Sequence, residues 1–245
     1  MSKKLEGKVA VVTGGSAGIG LGTAKRFAVE GARVFITGRR ELELSKAAAE
    51  IGHGATPIHG DTSNLADIEH IYTTVKAKAG RIDVLFVNAG FYEFGKFGEV
   101  TEQHFDKTFD TNVRGLFFTV QKALPLLSAG ASVILNGSIA SIKGIATLSV
   151  YNATKAAVRS FARSWILDLK GTGIRVNVLS PGTTDTPGLS KLLTNEHKAG
   201  AVANVPLARL GTPDDMSHAA VFLASEDSAY ITGIELFVDG GVAQY

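Results

Sequence analysis

Residues 9–20 read VAVVTGGSAGIG, an apolar run that ends in a turn containing four glycines. A helical pattern follows, so this stretch predicts a strand, a tight turn and a helix in that order. The first N–H groups of a helix have no partner within the helix and attract anions, and glycine lets a ligand approach the backbone without meeting a Cβ atom. No Gly-Lys-Ser/Thr sequence follows, which excludes a P-loop. The stretch therefore predicts a phosphate-binding turn.

The same alternation of strand and helix continues along the chain. Apolar runs predict strands at Val9–Val12, Val34–Ile36, Ala55–His59, Val84–Val87, Ser132–Leu135, Ile174–Leu179 and Ile234–Val238. Helical patterns predict helices at Gly18–Glu30, Glu41–Ile51, Leu65–Ala79, His104–Leu127, Tyr151–Leu169 and Pro213–Ala224. Continuous apolar runs are typical of strands buried on both faces. The sequence thus predicts an α/β fold, a Rossmann-type doubly wound parallel sheet of about seven strands with helices on both faces.

Composition and charge exclude several classes of protein. Of 245 residues, 45% are hydrophobic and 20% charged, with a net charge of +2 and no run of five like charges, so neither a disordered chain nor a nucleic-acid partner is expected. The absence of cysteine excludes disulfides, thiolate metal sites and cysteine nucleophiles, and no metal is expected. No apolar stretch approaches the roughly 18 residues of a membrane span, and the polar start is no signal peptide. A cytoplasmic protein without membrane partners is expected.

The end of the second predicted strand indicates which dinucleotide would bind. A fold of this kind that takes NAD usually has an acidic residue about 20 positions after the glycines. Here residues 36–40 read ITGRR and contain no acid. Arg39 and Arg40 suit a 2′-phosphate, because a planar guanidinium donates two hydrogen bonds to it. NADP(H) is therefore the expected cofactor, and NAD(H) stays open because the adjacent Glu41 weakens the positive field.

The glycine-rich turn also fits a competing class of enzyme. Gly14-x-Ser16-x-Gly18 matches the nucleophile elbow of α/β-hydrolases, in which Ser16 would be the nucleophile of a Ser–His–Asp triad. That elbow needs an earlier strand and loop to supply an oxyanion N–H, and only thirteen residues precede Gly14. A hydrolase is therefore a remote alternative.

A serine, a tyrosine and a lysine form the candidate catalytic group. Tyr151 and Lys155 are one helical turn apart, so they share a face of the predicted helix. A nearby ammonium favours the phenolate and would lower the tyrosine pKa, which makes Tyr151 a plausible proton donor and acceptor. Ser138 follows the fifth predicted strand, at the edge where ligands bind in open α/β sheets.

Several motifs in a fixed order resemble the short-chain dehydrogenase/reductase family over nearly the whole chain. The matching residues are Thr13-Gly14-x-x-x-Gly18-Ile19-Gly20, Asp61, Asn88-Ala89-Gly90, Asn112, Ser138 with Tyr151-x-x-x-Lys155, and Pro181-Gly182 with Thr186. No linker interrupts the alternation of strands and helices, so residues 1–245 are expected to form a single dinucleotide-binding and catalytic domain. The polar connection 183–206 is long for a loop and is expected to act as a substrate lid.

The resemblance also implies a role for each site residue. Ser138 would polarise the carbonyl, Tyr151 would protonate its oxygen, Lys155 would lower the tyrosine pKa and bind the nicotinamide ribose, and Asn112 would position Lys155 through water. The residues expected to bind the cofactor are Gly14, Ser16, Gly18, Ile19, Gly20, Arg39, Arg40, Asp61, Thr62, Asn88, Ala89, Gly90, Tyr151, Lys155, Pro181, Gly182, Thr184 and Thr186. Two positions depart from the family pattern: Ala17 replaces a basic residue common in NADPH-using relatives, and Thr184 replaces an aliphatic one.

The expected reaction is hydride transfer between NADP(H) and a ketone or secondary alcohol, as in a carbonyl reductase or alcohol dehydrogenase. Residues 91–97 and 139–145 supply apolar side chains for the substrate cleft, while a 3-oxoacyl thioester, a sugar or a polyol stays open. A module that binds a dinucleotide without turnover is a further alternative. The apolar helices that carry Phe117–Phe118 and Phe161–Trp165 imply, with the resemblance, a homo-oligomer, either tetramer or dimer.

Overall fold

Seven parallel strands form one sheet in the computed structural model, which describes residues 3–190 and 194–244. The strands are β1 (Val9–Val12), β2 (Arg33–Gly38), β3 (Thr56–His59), β4 (Ile82–Val87), β5 (Leu127–Asn136), β6 (Arg175–Pro181) and β7 (Glu235–Val238). Their order is β3-β2-β1-β4-β5-β6-β7, so the topology switches between β1 and β4. The predicted parallel α/β fold is confirmed, and a crevice is expected outside the carboxyl ends of β1 and β4.

Helices cover both faces of the sheet. They are α1 (Gly18–Val29), α2 (Glu41–Ile51), α3 (Leu65–Ala79), α4 (Glu102–Phe109), α5 (Leu116–Ala123), α6 (Ser149–Asp168), α7 (Pro187–Ser190), α8 (Asn195–Ala203) and α9 (Pro213–Ala224). Side chains of a strand alternate between faces. Ala10 and Val12 accordingly pack in one core with α1, α2 and α9, and Val9 and Val11 pack in the other with α3, α5 and α6. Among the described residues, no helix is both long and apolar enough to cross a membrane.

The prediction of one helix over His104–Leu127 is wrong. A π-helical turn, Asp110–Gly115, separates α4 from α5, and a short 3-10 turn, Leu124–Leu126, ends the segment. Pro125 has no N–H to continue the α-helix. Gly115 allows a close approach, since a Cβ there would lie 2.6 Å from the carbonyl oxygen of Thr62. The π turn is the part of this segment that bears on the site, because it contains Asn112.

The polar connection 183–206 contains helices that the sequence pattern did not indicate. Within its described parts lie α7 and α8, and the hydroxyl of Thr194 accepts a hydrogen bond from the His197 N–H at the start of α8 (3.2 Å). The predicted lid includes residues 191–193, which lie outside the residues that the structure describes. The bridge of Thr184 to Gly211 fixes the first part of the connection beside the sheet.

Candidate active site

The glycine-rich turn is built around two residues with left-handed backbone. Gly14 has φ +64° and Gly18 has φ +54°, conformations that favour glycine. A Cβ at Gly14 would also lie 3.0 Å from the Cα of Ala89, so the turn packs closely against the loop after β4. The Asn88 amide donates to the carbonyl oxygens of Thr13 (3.0 Å) and Gly14 (3.2 Å), which holds that loop in place. The structure thus brings the glycine-rich turn and the Asn88-Ala89-Gly90 motif together.

The N-terminus of α1 offers the chemistry that a phosphate group needs. Ala17 occupies the N-cap position, no side chain caps the helix, and its first turn contains no acid. The first N–H groups are therefore left to bind an anion, which the helix dipole also favours. A cavity of about 360 Å³ adjoins this turn. Its lining residues are Gly14, Ser16, Ala17, Thr37, Gly38, Arg39, Arg40, Gly60, Asp61, Thr62, Ala89, Gly90 and Thr111. This donor set and cavity fit the adenosine and pyrophosphate parts of a dinucleotide.

The two arginines at the end of β2 lie in different electrostatic surroundings. Arg39 Nη1 is 3.5 Å from Asp61 Oδ2, so the acid offsets part of its charge. Asp61 in turn accepts hydrogen bonds from the N–H and the hydroxyl of Ser63 (2.9 and 2.8 Å), which fixes it beside the cavity. No ion pair to Arg40 occurs within residues 3–190 and 194–244. Sequence reasoning named both arginines but missed the pairing of Arg39 with Asp61.

Ser138, Tyr151 and Lys155 meet at the carboxyl end of the sheet. Ser138 follows β5, its hydroxyl accepts from the Ala140 N–H (3.1 Å), and it lines the same cavity as Tyr151. Lys155 lies one turn further along α6, with Nζ 5.5 Å from the centroid of the Tyr151 ring. Lys155 Nζ donates a hydrogen bond to the carbonyl oxygen of Asn136 (2.7 Å), and only 5% of the residue is exposed. The predicted catalytic group is therefore assembled by β5 and α6.

Burial controls the proton affinities of the tyrosine and the lysine. Burial raises the pKa of Tyr151 to about 12, with Tyr92 adding to the effect, while the Ser138 hydrogen bond opposes it. Burial lowers the pKa of Lys155 to about 8. The expected lowering of the tyrosine pKa is thus wrong for the protein alone, because desolvation outweighs the other effects. The phenol is protonated at neutral pH and is ready to donate a proton.

Asn112 links two of the predicted motifs through its side chain. Its Oδ1 accepts from the Phe91 N–H (2.7 Å), and its Nδ2 donates to the Phe91 carbonyl oxygen (2.7 Å) and to the Thr154 hydroxyl (3.1 Å). Phe91 follows the Asn88-Ala89-Gly90 loop, and Thr154 precedes Lys155. π-helical turns of this kind occur often at functional sites. Asn112 therefore fixes the spacing between the loop after β4 and the catalytic helix.

A second cavity, of about 320 Å³, is lined by two members of the catalytic group, Ser138 and Tyr151. Its lining residues are Ile19, Tyr92, Phe94, Asn136, Gly137, Ser138, Ile139, Ile145, Leu148, Tyr151, Pro181, Gly182, Thr183, Thr184, Thr186, Leu189 and Ala201. None of these described residues carries a charge. Tyr92 contacts the ring of Tyr151 edge-to-face at 5.9 Å and that of Phe94 at 6.1 Å, forming an aromatic wall. The cavity therefore suits an uncharged, largely apolar molecule.

The segment after β6 closes this cavity on the side of the glycine-rich turn. Pro181 ends β6, and a Cβ at Gly18 would lie 3.3 Å from the Cγ2 atom of Thr186, so the two predicted cofactor motifs touch. Thr184 Oγ1 donates to the carbonyl oxygen of Gly182 (3.0 Å). The Thr184 hydroxyl thus binds the nearby backbone. A threonine can therefore occupy this position, where the family usually has an aliphatic residue, without disturbing the turn.

Comparisons with known proteins agree with this geometry. A family model described as enoyl-(acyl carrier protein) reductase matches residues 14–243. Oxidoreductase asL5 of Sarocladium schorii is 43% identical over 244 residues, covering 99% of this chain and 98% of that protein. An NADP-dependent (R)-specific alcohol dehydrogenase of Lentilactobacillus kefiri is 36% identical over 249 residues, covering 98% of each. A solved structure described as a short chain dehydrogenase/reductase family protein has a TM-score of 0.89 at 39% identity and covers 99% of this chain and 100% of that one.

The parallel sheet, the glycine-rich turn at its switch point and these relatives define an oxidoreductase that uses a nicotinamide dinucleotide. The chain belongs to the short-chain dehydrogenase/reductase family. A Ser–His–Asp hydrolase built on Ser16 finds no support among these relatives.

Proposed function

We propose that the protein interconverts a ketone and a secondary alcohol with NADP(H) as cofactor, as a carbonyl reductase or alcohol dehydrogenase. One observation carries the proposal: Ser138 and a protonated Tyr151 line an uncharged, largely apolar cavity that adjoins the glycine-rich turn. The NADP-dependent alcohol dehydrogenase among the relatives supports the same reaction. Consumption of reduced cofactor with a panel of ketones, followed by absorbance, tests it.

The catalytic residues would act on the substrate oxygen. The nicotinamide ring supplies or accepts the hydride when it is bound. The Ser138 hydroxyl donates a hydrogen bond that polarises the carbonyl, and Tyr151 gives its phenolic proton to the oxygen as negative charge develops there. In the opposite direction the phenolate removes the proton of the alcohol.

Lys155 and Asn112 would support this proton transfer. The buried ammonium of Lys155 lies beside the phenol ring and stabilises negative charge on it, while its hydrogen bond to Asn136 fixes its position. Asn112 holds Thr154, the residue before Lys155, at a fixed distance from the loop after β4. We propose that its contribution to positioning Lys155 runs through this contact as well as through water.

A reductase of 3-oxoacyl thioesters is the second candidate, because a 3-oxoacyl-[acyl-carrier-protein] reductase of Thermotoga maritima is 32% identical over 244 residues. The described lining of the catalytic cavity contains no cation for a carboxylate or phosphate, which favours a small neutral ketone. A panel that pairs simple aryl and alkyl ketones with 3-oxoacyl thioesters decides between them. A kcat/KM that is higher for every thioester than for every simple ketone would replace the first candidate by the second.

We predict that the double variant Arg39→Ala, Arg40→Ala binds NADPH roughly 10–100-fold more weakly while its NADH affinity changes little, because one or two charge-assisted hydrogen bonds to the 2′-phosphate are lost. Of the single variants, Arg40→Ala is expected to lose more, since Asp61 already offsets the charge of Arg39. Dissociation constants from titration of cofactor fluorescence measure the effect. Arg33→Ala is the matched control, an exposed arginine at the opposite end of β2. An unchanged ratio of the NADPH and NADH constants in the double variant rejects the arginine assignment.

We further propose that residues 1–245 work as one dinucleotide-binding and catalytic domain, with 183–206 as the substrate lid. Its described parts already contribute Thr184, Thr186, Leu189 and Ala201 to the lining of the catalytic cavity. Closure over a bound substrate would exclude water from the reacting atoms.

A homo-oligomer, tetramer or dimer, is expected to form through α5 and α6. The Phe161 and Trp165 rings stack at 5.1 Å and meet Phe117 edge-to-face, and Leu124, which lines the same surface cavity as Phe117 and Trp165, is 38% exposed. An apolar patch of this kind on a surface favours association. Light scattering should give a multiple of the 25.7 kDa chain mass for the wild type and a smaller particle for Trp165→Glu. A monomeric wild type would refute the assignment.

A further inference from the structure

Glu235 is a buried carboxylate that touches three separate elements at the active-site end of the sheet. It lies in β7, and only 6% of its side chain is exposed. Its Oε1 accepts hydrogen bonds from the hydroxyls of Ser180 (2.7 Å) and Ser141. Arg159 Nε lies 2.8 Å from Oε2, but its N–H is not aligned with that oxygen, so the contact is an ion pair rather than a hydrogen bond.

Each partner of Glu235 lies next to a residue of the candidate active site. Ser141 ends the 3-10 turn Ile139–Ser141, which begins directly after Ser138. Ser180 precedes the Pro181-Gly182 turn. Arg159 is one helical turn beyond Lys155 on α6. One carboxylate thus joins three parts of the site: the serine loop (residues 138–147), the end of β6 just before the Pro181-Gly182 turn, and the helix that carries the tyrosine and the lysine.

The contribution of the Glu235 contacts to the stability of the fold is a weak explanation for a buried carboxylate in β7. Burying a carboxylate is costly unless it is paired and hydrogen-bonded, and an apolar side chain often serves a buried position equally well. The loop after Ser141 has other contacts as well: Lys143 Nζ donates to the Val242 carbonyl oxygen (2.6 Å), the Asn152 side-chain amide to that of Lys143 (2.9 Å), and the Gly95 N–H to that of Thr147 (2.8 Å). The Ser141 hydroxyl adds the contact with Glu235 three residues from Ser138, so Glu235 restrains the beginning of this loop.

We propose that Glu235 is a positioning residue for the reaction: through Ser141, Ser180 and Arg159 it holds the Ser138 loop and the turn after β6 in register with Tyr151 and Lys155. Glu235 itself touches none of the reacting groups. The proposal rests on the proposed function, because the geometry it maintains is that of Ser138 and Tyr151 around a substrate oxygen. Small displacements of catalytic groups lower turnover strongly.

The test compares Glu235→Ala with Asp83→Ala. Asp83 is a matched control: a buried strand carboxylate that accepts from a serine, Ser128 (2.7 Å), and pairs with an arginine, Arg81 (3.0 Å), but lies at the amino end of β4, away from the site. For Glu235→Ala, we expect kcat to fall about 10–100-fold and the NADPH dissociation constant to rise by less, because the glycine-rich turn and the arginines after β2 have no contact with Glu235. Asp83→Ala should lose thermal stability but keep the kcat of its folded fraction. Glu235→Gln, whose amide oxygen can still accept from both serines, should recover most of the lost kcat.

Hydrogen exchange measured by mass spectrometry provides a readout that does not need turnover. Glu235→Ala should speed exchange in peptides covering 137–147, and Asp83→Ala should not. Unchanged exchange there, or faster exchange with an unchanged kcat, overturns the positioning role. If Glu235→Ala does not fold, Ser141→Ala, which removes the hydroxyl that binds Glu235, is judged by the same two criteria. A wild type without turnover on any carbonyl compound would refute the proposed function, and the exchange data would still decide whether Glu235 holds the loop.

Discussion

Tyr151→Phe is expected to lower kcat for ketone reduction by roughly 10²–10⁴-fold, the usual contribution of a positioned general acid. The substitution removes only the hydroxyl that would protonate the substrate oxygen and leaves the ring in its contact with Tyr92. Burial raises the pKa of this phenol to about 12, so it carries its proton throughout the neutral range, as an acid for the reduction must. NADPH affinity should change little. Steady-state kinetics with a ketone from the active panel measures both quantities.

Tyr72→Phe is the matched control for this substitution. The Tyr72 hydroxyl is also buried, and it donates to the carbonyl oxygen of Thr119 (2.6 Å) between α3 and α5. Its removal should cost stability, since a buried acceptor loses its partner, but should not alter kcat. If Tyr151→Phe kept the wild-type kcat, or if both variants lost it equally, Tyr151 would not be the proton donor.

Lys155→Met is expected to lower kcat by about 100-fold or more, because it removes the ammonium beside the phenol and its hydrogen bond to Asn136. The wild type should also show a characteristic pH dependence. Burial lowers the pKa of Lys155 to about 8, so the ammonium is present below that pH and is lost above it. The kcat/KM for NADPH, which reports ionisations of the free enzyme, should therefore fall as the pH rises through about 8.

Lys155→Arg tests whether loss of the Lys155 proton causes the fall in kcat/KM, because it keeps a positive charge that does not titrate. A guanidinium stays protonated across the accessible range, so the fall above pH 8 should disappear in this variant even if its overall rate is reduced. A wild-type profile that stays flat from pH 7 to 10, or a profile that falls identically in Lys155→Arg, would remove Lys155 as the titrating group.

The hydrophobic pattern located all seven strands and gave the exact bounds of three helices, but it missed the break in a fourth. The predicted helices Glu41–Ile51, Leu65–Ala79 and Pro213–Ala224 match the structure at both ends, since local periodicity and flanking residues define them. The break in His104–Leu127 could not be read in the same way. The π-helical turn accompanies the approach of Gly115 to the Thr62 carbonyl, a tertiary contact with no local signal, whereas Pro125 is a local signal for the end of the helix.

In the candidate site, too, features set by one helix or strand were predictable and features set by tertiary contacts were not. Spacing along the chain correctly paired Tyr151 with Lys155 and placed Ser138 at a strand end, because both follow from the geometry of single elements. The proton affinity of Tyr151 was predicted in the wrong direction, since it depends on how much protein surrounds the ring. Glu235 was also missed. A lone acid in the apolar run Ile234–Val238 was a signal, but its three partners come from distant parts of the chain.

Isotope transfer tests the central chemistry most directly. NADPH deuterated at C4 of its nicotinamide is incubated with the wild type and a ketone from the active panel, and the alcohol is analysed by mass spectrometry and NMR. The account predicts deuterium on the carbinol carbon, a hydroxyl proton taken from the protein and solvent, and almost no product with Tyr151→Phe. Alcohol without deuterium on that carbon, or the same yield of labelled alcohol from Tyr151→Phe, would contradict it.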